Sequence, residues 1–278
     1  MASIYDFIIS LASIGLILTI AYVIRNIVRG YFEAAQASPF LQILIEEAIA
    51  AAELCGCCFE LIIDVFLDIY SEIDFASIVA DNYGVSAYAV LLFLLTIWWS
   101  SNWADATACP YNHLEDYVSG NTDLFSVILK GLAELIGGVS IFKLIQYLWA
   151  LEWAETHKGR AYEECSADLQ VSMMMGALIE GVAVCICRIC SRALGDLEVK
   201  YSTVIDAFIG TSLVVLAFNY SGGYFNPVLA TSLKFGCKGN TFVEHMVVYW
   251  IGACLGALLS VVIYRQPMIQ NKIHGKQD

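Results

Sequence analysis

Long apolar runs dominate the hydrophobic pattern of this chain of 278 residues. A helix needs roughly 17–25 apolar residues to cross the hydrocarbon layer of a membrane, and each run is close to that length. Seven such runs lie near residues 7–24, 40–69, 84–101, 124–149, 168–187, 202–219 and 243–264. The pattern therefore predicts an all-α membrane protein built from several spanning helices.

A short helix is predicted after the sixth run. The chain is irregular at Gly222-Gly223, and Asn226-Pro227 then provides a favoured N-cap followed by proline at the first helical position. Gly236 predicts its end after roughly nine residues, or about 14 Å of helix. That is half of the roughly 30 Å hydrocarbon layer, so we expect this helix to enter the membrane without crossing it.

An earlier stretch repeats this arrangement. Cys109-Pro110 follows the third apolar run, and a short helix is predicted from Pro110 to about Val118, before Gly120. Two of the four prolines in the chain open these short helices. Interrupted hydrophobic segments at corresponding places in two halves of a chain are typical of a transport site formed by helix ends.

The residues around both prolines resemble the aquaporin (major intrinsic protein) family. Asn226-Pro227-Val228, preceded by Gly222-Gly223, resembles the second Asn-Pro-Ala box, and Cys109-Pro110-Tyr111 stands where the first box belongs. The altered first box and the cysteine-rich run at residues 55–58 are similar to the unorthodox superaquaporins, the eleven and twelve type. The resemblance extends over about residues 39–264.

This resemblance implies a fold, an activity and an assembly. The expected fold is an all-α, aquaporin-like bundle of six spanning helices plus two re-entrant half-helices. The expected activity is passive conduction of water and small neutral solutes, such as glycerol or hydrogen peroxide, without a cofactor. Homotetramers in the lipid bilayer of an intracellular membrane, such as the endoplasmic reticulum, are implied, and the plasma membrane stays open. The alternative function is a membrane scaffold with a closed or poorly conducting pore.

The resemblance also divides the chain. Its first span corresponds to about residues 40–69, so the run at 7–24 either crosses the membrane as an extra span or lies peripherally. The expected organisation is an N-terminal hydrophobic segment at 1–30, a channel domain at 39–264 and a cytoplasmic tail at 265–278. If the first run crosses inward, the positive-inside rule is satisfied. The basic residues then placed in the cytoplasm are Arg25, Arg29, Arg188, Arg192, Lys200, Arg265, Lys272 and Lys276.

The resemblance assigns the pore to particular residues. The pore motif is Cys109, Pro110, Tyr111, Asn226, Pro227 and Val228, and the selectivity filter is Val214, Gly223, Leu229 and Ala89. The family usually has arginine two residues after the second box proline, where this chain has leucine. We therefore expect a filter that is wider and more apolar than that of a strict water channel.

Glutamates in two apolar runs are candidates for supporting the half-helices. A carboxylate inside a span is costly and faces the bundle interior. Glu180 lies in the fifth run, and Glu47 competes with Glu46 for the corresponding place in the second run. The resemblance implies that such residues bind the re-entrant backbone. For the second run as a whole, which also carries Glu53 and Glu60, a partly interfacial helix with an acidic face is the alternative.

Composition supports the membrane class. Hydrophobic residues make up 59% of the chain, charged residues 15%, and the mean hydropathy is +0.69. A net charge of −13 argues against nucleic acid as a partner. Most of the ten cysteines lie in apolar runs, where cysteine behaves as a small hydrophobic residue, and a bridge between Cys165 and Cys237 stays open.

Neither a catalytic group nor a metal site is predicted. The three cysteines at residues 185–190 lack the spacing of zinc ligands, and the four histidines share no helical face. We therefore expect that the protein is not an enzyme. Tryptophans near the ends of the runs are interpreted as an aromatic belt at the membrane surface, namely Trp98, Trp99, Trp103, Trp149 and Trp153.

Overall fold

The computed structural model describes residues 4–66 and 84–275, which form a set of helices. Residues 67–69 of the second apolar run and residues 276–278 of the expected tail, including Lys276, lie outside this description. In chain order the helices are α1 (Ile4–Ala35), α2 (Pro39–Phe66), α3 (Gly84–Asn102), α4 (Pro110–Val118), α5 (Leu124–Ser140), α6 (Phe142–Ala150), α7 (Met173–Asp196), α8 (Ser202–Ser221), α9 (Pro227–Lys234), α10 (Phe242–Tyr264) and α11 (Pro267–His274). Short 3₁₀ turns lie at Glu155–His157 and Arg160–Tyr162, and the middle of α10, Met246–Gly252, is π-helical.

Six segments among the described residues are long and apolar enough to cross a membrane. They are Ile4–Ala35, Gly84–Asn102, Leu124–Ala150, Met173–Asp196, Ser202–Ser221 and Phe242–Tyr264. Helix α2 has the required length at 28 residues, but its several glutamates keep it out of this set. The all-α membrane fold predicted from the apolar runs is confirmed.

The chain forms two compact units, and each is assembled from two stretches of sequence. The first unit comprises Met1–Ala108 and Leu129–Cys165, and the second comprises Cys109–Ile128 and Ser166–Asp278. The two short helices predicted around Pro110 and Pro227, α4 and α9, belong to the second unit.

Helix α1 packs along α2 within the first unit through charged groups. The Arg25 side chain is buried and donates from Nη2 to Glu53 Oε2 at 2.6 Å. Arg29 forms an ion pair with Glu46 at 2.8 Å. The Arg25 guanidinium therefore lies between the helices and neutralises a buried carboxylate, while the cytoplasmic side expected for this residue stays a prediction.

The other buried acids of α2 are paired in the same way. Trp149 Nε1 donates to Glu60 Oε2 at 3.0 Å, and His157 Nε2 is hydrogen-bonded to Glu60 Oε1 at 2.8 Å. Trp103 Nε1 donates to the Glu53 carboxylate at 3.1 Å. The predicted acidic face of α2 at the membrane interface and the aromatic-belt role of Trp103 and Trp149 are thus wrong. Glu53 and Glu60 are buried, and each accepts a hydrogen bond from one of these two buried tryptophans.

Small residues let α7 and α10 approach closely within the second unit. A Cβ added at Gly256 would lie 2.0 Å from the carbonyl oxygen of Gly181, and one added at Gly252 would lie 2.7 Å from that of Ala177. Small residues four positions apart on each helix are the usual device for close helix contact in membranes.

We expect Gly256→Ala to destabilise the protein, because the new methyl group meets backbone that cannot rotate away. Overpacking of this kind costs about 1–3 kcal/mol. Gly210→Ala on α8 is the matched control, since a Cβ there meets nothing within 4 Å. Thermal unfolding in detergent measures both variants, and equal midpoints would contradict the close contact of α7 with α10.

Candidate pore-forming site

The second half-helix, α9, begins at Asn226 as its N-cap. Asn226 has extended backbone (φ −148°, ψ 117°), and its Oδ1 accepts hydrogen bonds from the backbone N–H of Val228 at 2.9 Å and of Leu229 at 3.3 Å. Pro227 occupies the first helical position, where its missing N–H leaves no bond unmade. Because Oδ1 caps the helix, the Nδ2 end of the Asn226 amide is its donating end.

The first half-helix, α4, begins with the same backbone geometry but a different side chain. Cys109 has φ −149° and ψ 115°, within two degrees of Asn226 in both angles, and its side chain makes no cap hydrogen bond. The preceding residues also correspond, since Ala108 and Phe225 have positive φ values of 51° and 49°. Side chains disfavour this left-handed region, at a cost of about 1–2 kcal/mol each, so the surroundings must impose it twice.

A buried carboxylate binds each of these strained turns. Glu47 Oε2 accepts from the backbone N–H of Thr107 and of Ala108, both at 2.9 Å. Glu180 accepts from the backbone N–H of Tyr224 at 3.2 Å and of Phe225 at 2.7 Å. The two carboxylates therefore bind corresponding pairs of N–H groups before the two half-helices.

Glu180 accepts one further hydrogen bond, and Glu46 is bonded elsewhere. Ser221 Oγ donates to Glu180 Oε1 at 2.6 Å. Glu46, the competing candidate in the second run, instead pairs with Arg29. The structure thus places Glu47, and not its neighbour, at the backbone before α4.

One buried cluster in the second unit contacts the start of both half-helices. Cys109 and Tyr111 of the first box lie in it together with Phe225, the residue before the second box. Val184 of α7 is fully buried in the same cluster, and Val214 of α8 packs against it. The starts of α4 and α9 therefore share one apolar surrounding.

The filter candidates fall into two groups. A Cβ added at Gly223 would lie 2.7 Å from the carbonyl oxygen of Val214, so these two residues are neighbours. Leu229 is half-buried in the first turn of α9. Ala89 is half-buried on α3, in the other compact unit. Its assignment to the filter stays a prediction, as do those of the other three residues.

Sequence reasoning missed a charged cluster on the first half-helix. Glu115 of α4 is buried and forms ion pairs with Arg188 and Arg192 of α7, both at 2.7 Å. The available signal was an acid inside a half-helix, opposite two arginines spaced four residues apart on one helical face. The two arginines were interpreted only as cytoplasmic flanking charges.

A second pairing ties the far end of α9 to the chain before α7. Lys234 is buried and donates to Asp168 Oδ1 at 2.8 Å and to the carbonyl oxygen of Ser166 at 3.0 Å. The Tyr224 hydroxyl donates to the other oxygen of the same carboxylate. One aspartate therefore links the lead-in of α9 to its last residue.

The cysteines divide into two states. Cys165 and Cys237 are disulfide-bonded, and the residues that follow them, Ser166 and Lys238, form an isolated β-bridge. The other eight are free thiols, most of them buried.

Comparison with known proteins identifies relatives of this chain. No protein-family model matches it. It is 29% identical to mouse aquaporin-12 over 220 residues, which are 78% of this chain and 73% of the relative. It is 26% identical to aquaporin-11 of Milnesium tardigradum over 260 residues, which are 93% of this chain and 87% of the relative.

A solved structure shares the fold. The X-ray structure of the aquaglyceroporin from Plasmodium falciparum superposes with a TM-score of 0.58 at 12% identity, over 82% of this chain and 97% of that one. The expected aquaporin-like bundle is thereby confirmed. In sequence this chain is therefore similar to the unorthodox aquaporins 11 and 12, and its fold is aquaporin-like.

Proposed function

We propose that this membrane channel conducts water and small neutral solutes passively, through a pore formed at the starts of the half-helices α4 and α9. The observation that supports this proposal is the matched backbone of Cys109 and Asn226, each preceded by a left-handed residue and each followed by proline. The two left-handed residues raise the energy of the folded backbone, so we expect the two turns to serve a purpose beyond packing.

The half-helices would act on a permeating molecule through their positive ends. Each helix carries a partial positive charge at its N-terminus, and this charge attracts an oxygen atom and repels a cation. The Nδ2 of Asn226 would donate to the passing oxygen. The Cys109 thiol is a weak donor and hydrogen-bonds Tyr111, so the site has one strong donor and one weak one.

The filter would select by size and apolar contact. Leu229, Gly223 and Val214 supply no charge and no side-chain donor. A wall of this kind suits neutral molecules with a carbon face, such as glycerol, or compact ones, such as hydrogen peroxide. Ions would meet no group that replaces their hydration shell.

One observation favours a second candidate function, a membrane scaffold whose pore does not conduct. Cys109 and Phe225 are only 4% and 8% exposed, and both lie in the apolar cluster at the starts of the half-helices. A closed path at this point would leave the fold intact and the flux absent. The flux measurement below separates the two candidates.

The assembly and the location belong to the same proposal. Large apolar side chains of α5, Ile128, Leu132, Ile136 and Val139, recur along one face of the helix and are about half exposed or more. This face supports contact with lipid or with further copies of the chain. We propose homotetramers, an intracellular membrane and a cytoplasmic C-terminal tail, as the resemblance to aquaporins implies.

We expect Leu229→Arg to lower glycerol permeability by roughly tenfold, which corresponds to about 1.4 kcal/mol added to the barrier. A bulky cation beside Gly223 removes room for the carbon face of glycerol, whereas water can accept from the new donor. Water permeability should fall less. Stopped-flow light scattering of proteoliposomes, with water and glycerol gradients tested separately, measures both.

Leu229→Met is the matched control, because it keeps an apolar side chain of similar volume. An unchanged ratio of glycerol to water permeability in the arginine variant would refute the filter assignment. An absence of flux in the wild-type protein would favour the scaffold.

A further inference from the structure

A cluster of charged side chains, Glu115, Arg188 and Arg192, joins α4 to α7. Glu115 is one helical turn beyond Tyr111 and therefore projects from the same face of α4. Arg188 donates to both of its carboxylate oxygens, from Nε at 3.1 Å and from Nη2 at 2.7 Å. A bidentate pair of this kind fixes the plane and the position of the guanidinium.

A second arginine completes the cluster. Arg192 Nη2 forms an ion pair with the same carboxylate at 2.7 Å, while its Nη1 donates to Ser260 Oγ of α10 at 2.8 Å. Two positive charges thus meet one negative charge, and one positive charge is left over. The carboxylate alone would make this part of α4 negative, whereas the cluster as a whole carries a net positive charge.

The two arginines differ in what they face. Four residues separate Glu180, Val184, Arg188 and Arg192, so they follow one winding stripe of α7. Val184 lies in the buried cluster with Cys109 and Tyr111, one turn before Arg188. Arg188 is therefore the nearer of the two arginines to this cluster along α7. Arg192 lies one turn further along α7 and bonds Ser260 of α10.

We propose that Arg188 is the cation-excluding residue of this channel. Its guanidinium places a fixed positive charge beside Cys109 and Tyr111, at the first half-helix. Leu229 supplies no such charge at the second half-helix. The proposal rests on the proposed conduction and adds to it the residue that rejects protons and metal cations. Glu115 is a positioning residue, because it orients the guanidinium.

Removal of the Arg188 charge should open the channel to cations. A unit charge within about 10 Å, at an effective dielectric constant of about 20, changes cation occupancy by roughly tenfold. We expect Arg188→Gln to raise the proton and potassium leak of proteoliposomes by about that factor, with water permeability retained. The proton leak is measured with a pH-sensitive dye enclosed in the vesicles under an imposed pH gradient, and the potassium leak is measured as potassium efflux.

Three variants test whether charge or structure is responsible. Arg188→Lys keeps the charge but not the bidentate bond, and its proton and potassium leak should stay at the wild-type level. Arg192→Gln removes an equal charge and the single ion pair of Arg192 with Glu115, and its cation leak should also stay at the wild-type level. Leu229→Arg combined with Arg188→Gln should restore exclusion, since it returns a fixed charge to the pore.

One further variant separates an effect on folding from an effect on cation exclusion. The double variant Arg188→Gln/Glu115→Gln removes the charge without leaving an unbalanced carboxylate and should leak as much as the single variant. Equal leak in the Arg188→Gln and Arg192→Gln variants, or no added leak in a folded Arg188→Gln protein that conducts water, would overturn this proposal alone. A wild-type protein without water flux would overturn the proposed function as well.

Discussion

Replacement of Arg25 by leucine is expected to destabilise the protein by about 3–5 kcal/mol, as removal of one partner of a buried ion pair does. The Glu53 carboxylate is 1% exposed and would keep its negative charge without its cation. Its remaining donors are the indole N–H groups of Trp98 and Trp103, which carry no charge. Thermal unfolding in detergent and the yield of folded protein measure the loss.

The double variant Arg25→Leu/Glu53→Leu should recover most of that stability. Among the described residues, Arg25 Nε and Nη1 have no hydrogen-bond partner, so the wild-type pair already carries an unmet desolvation cost. Apolar residues of similar size in place of a buried pair are often neutral or stabilising. Recovery in the double variant would show that the unbalanced charge, and not lost packing, is the cause.

Arg29→Leu is the matched control on the same pair of helices. The Arg29 and Glu46 side chains are 35% and 12% exposed, so water compensates the charge that remains. Such a pair contributes about 0–1 kcal/mol. An Arg25→Leu protein as stable as Arg29→Leu would mean that α1 is peripheral, and the extra helix could then be removed without harm to the first unit.

The half-helices could be predicted from sequence because their signals are local. The start at Pro110 and the end near Val118 are the observed bounds of α4. For α9 the predicted cap at Asn226 is also the observed one. Proline, asparagine and glycine act on their own backbone and on the next few residues, so no distant contact is needed to interpret them.

The partners of the buried charges could not be predicted, because they lie far apart along the chain. Arg25 and Glu53 are 28 residues apart, and His157 and Glu60 are 97 apart. Hydrophobic periodicity gives the face on which an acid lies but not the residue that meets it there. The glutamates of α2 therefore looked like a solvated face, although each of them is neutralised or hydrogen-bonded inside the first unit.

The pairing of Arg188 with Glu115 was hidden for a related reason. A positive charge at the end of an apolar run usually marks the cytoplasmic side, and that rule contains no information on a half-helix that folds back to meet it. The two residues are 73 positions apart in sequence, one on the first half-helix and the other on a helix in the second half of the chain. Only the assembled second unit brings them together.

Glu180→Leu is expected to abolish water conduction, because it removes the acceptor for three buried donors before α9. The backbone N–H groups of Tyr224 and Phe225 and the Ser221 hydroxyl all donate to this carboxylate. Each buried donor left without a partner costs about 1–3 kcal/mol. Phe225 holds a positive φ of 49°, so the turn should relax once its N–H is released.

Glu180→Gln should be milder, because the amide keeps one oxygen acceptor of the same length and can still serve one backbone N–H. The neutral oxygen makes a weaker bond than a carboxylate does, and the amide nitrogen faces a donor instead of an acceptor. We therefore expect stability and water flux to decrease in the order wild type, glutamine variant, leucine variant.

Glu163→Leu is the matched control, since the Glu163 carboxylate is 61% exposed and the protein should tolerate the change. Unfolding midpoints and water permeability per reconstituted protein give the order directly. If the leucine and glutamine variants matched each other in both measurements, Glu180 would not be binding the backbone before Asn226, and the geometry of the second half-helix would have to be maintained by Tyr224 and Asp168 instead.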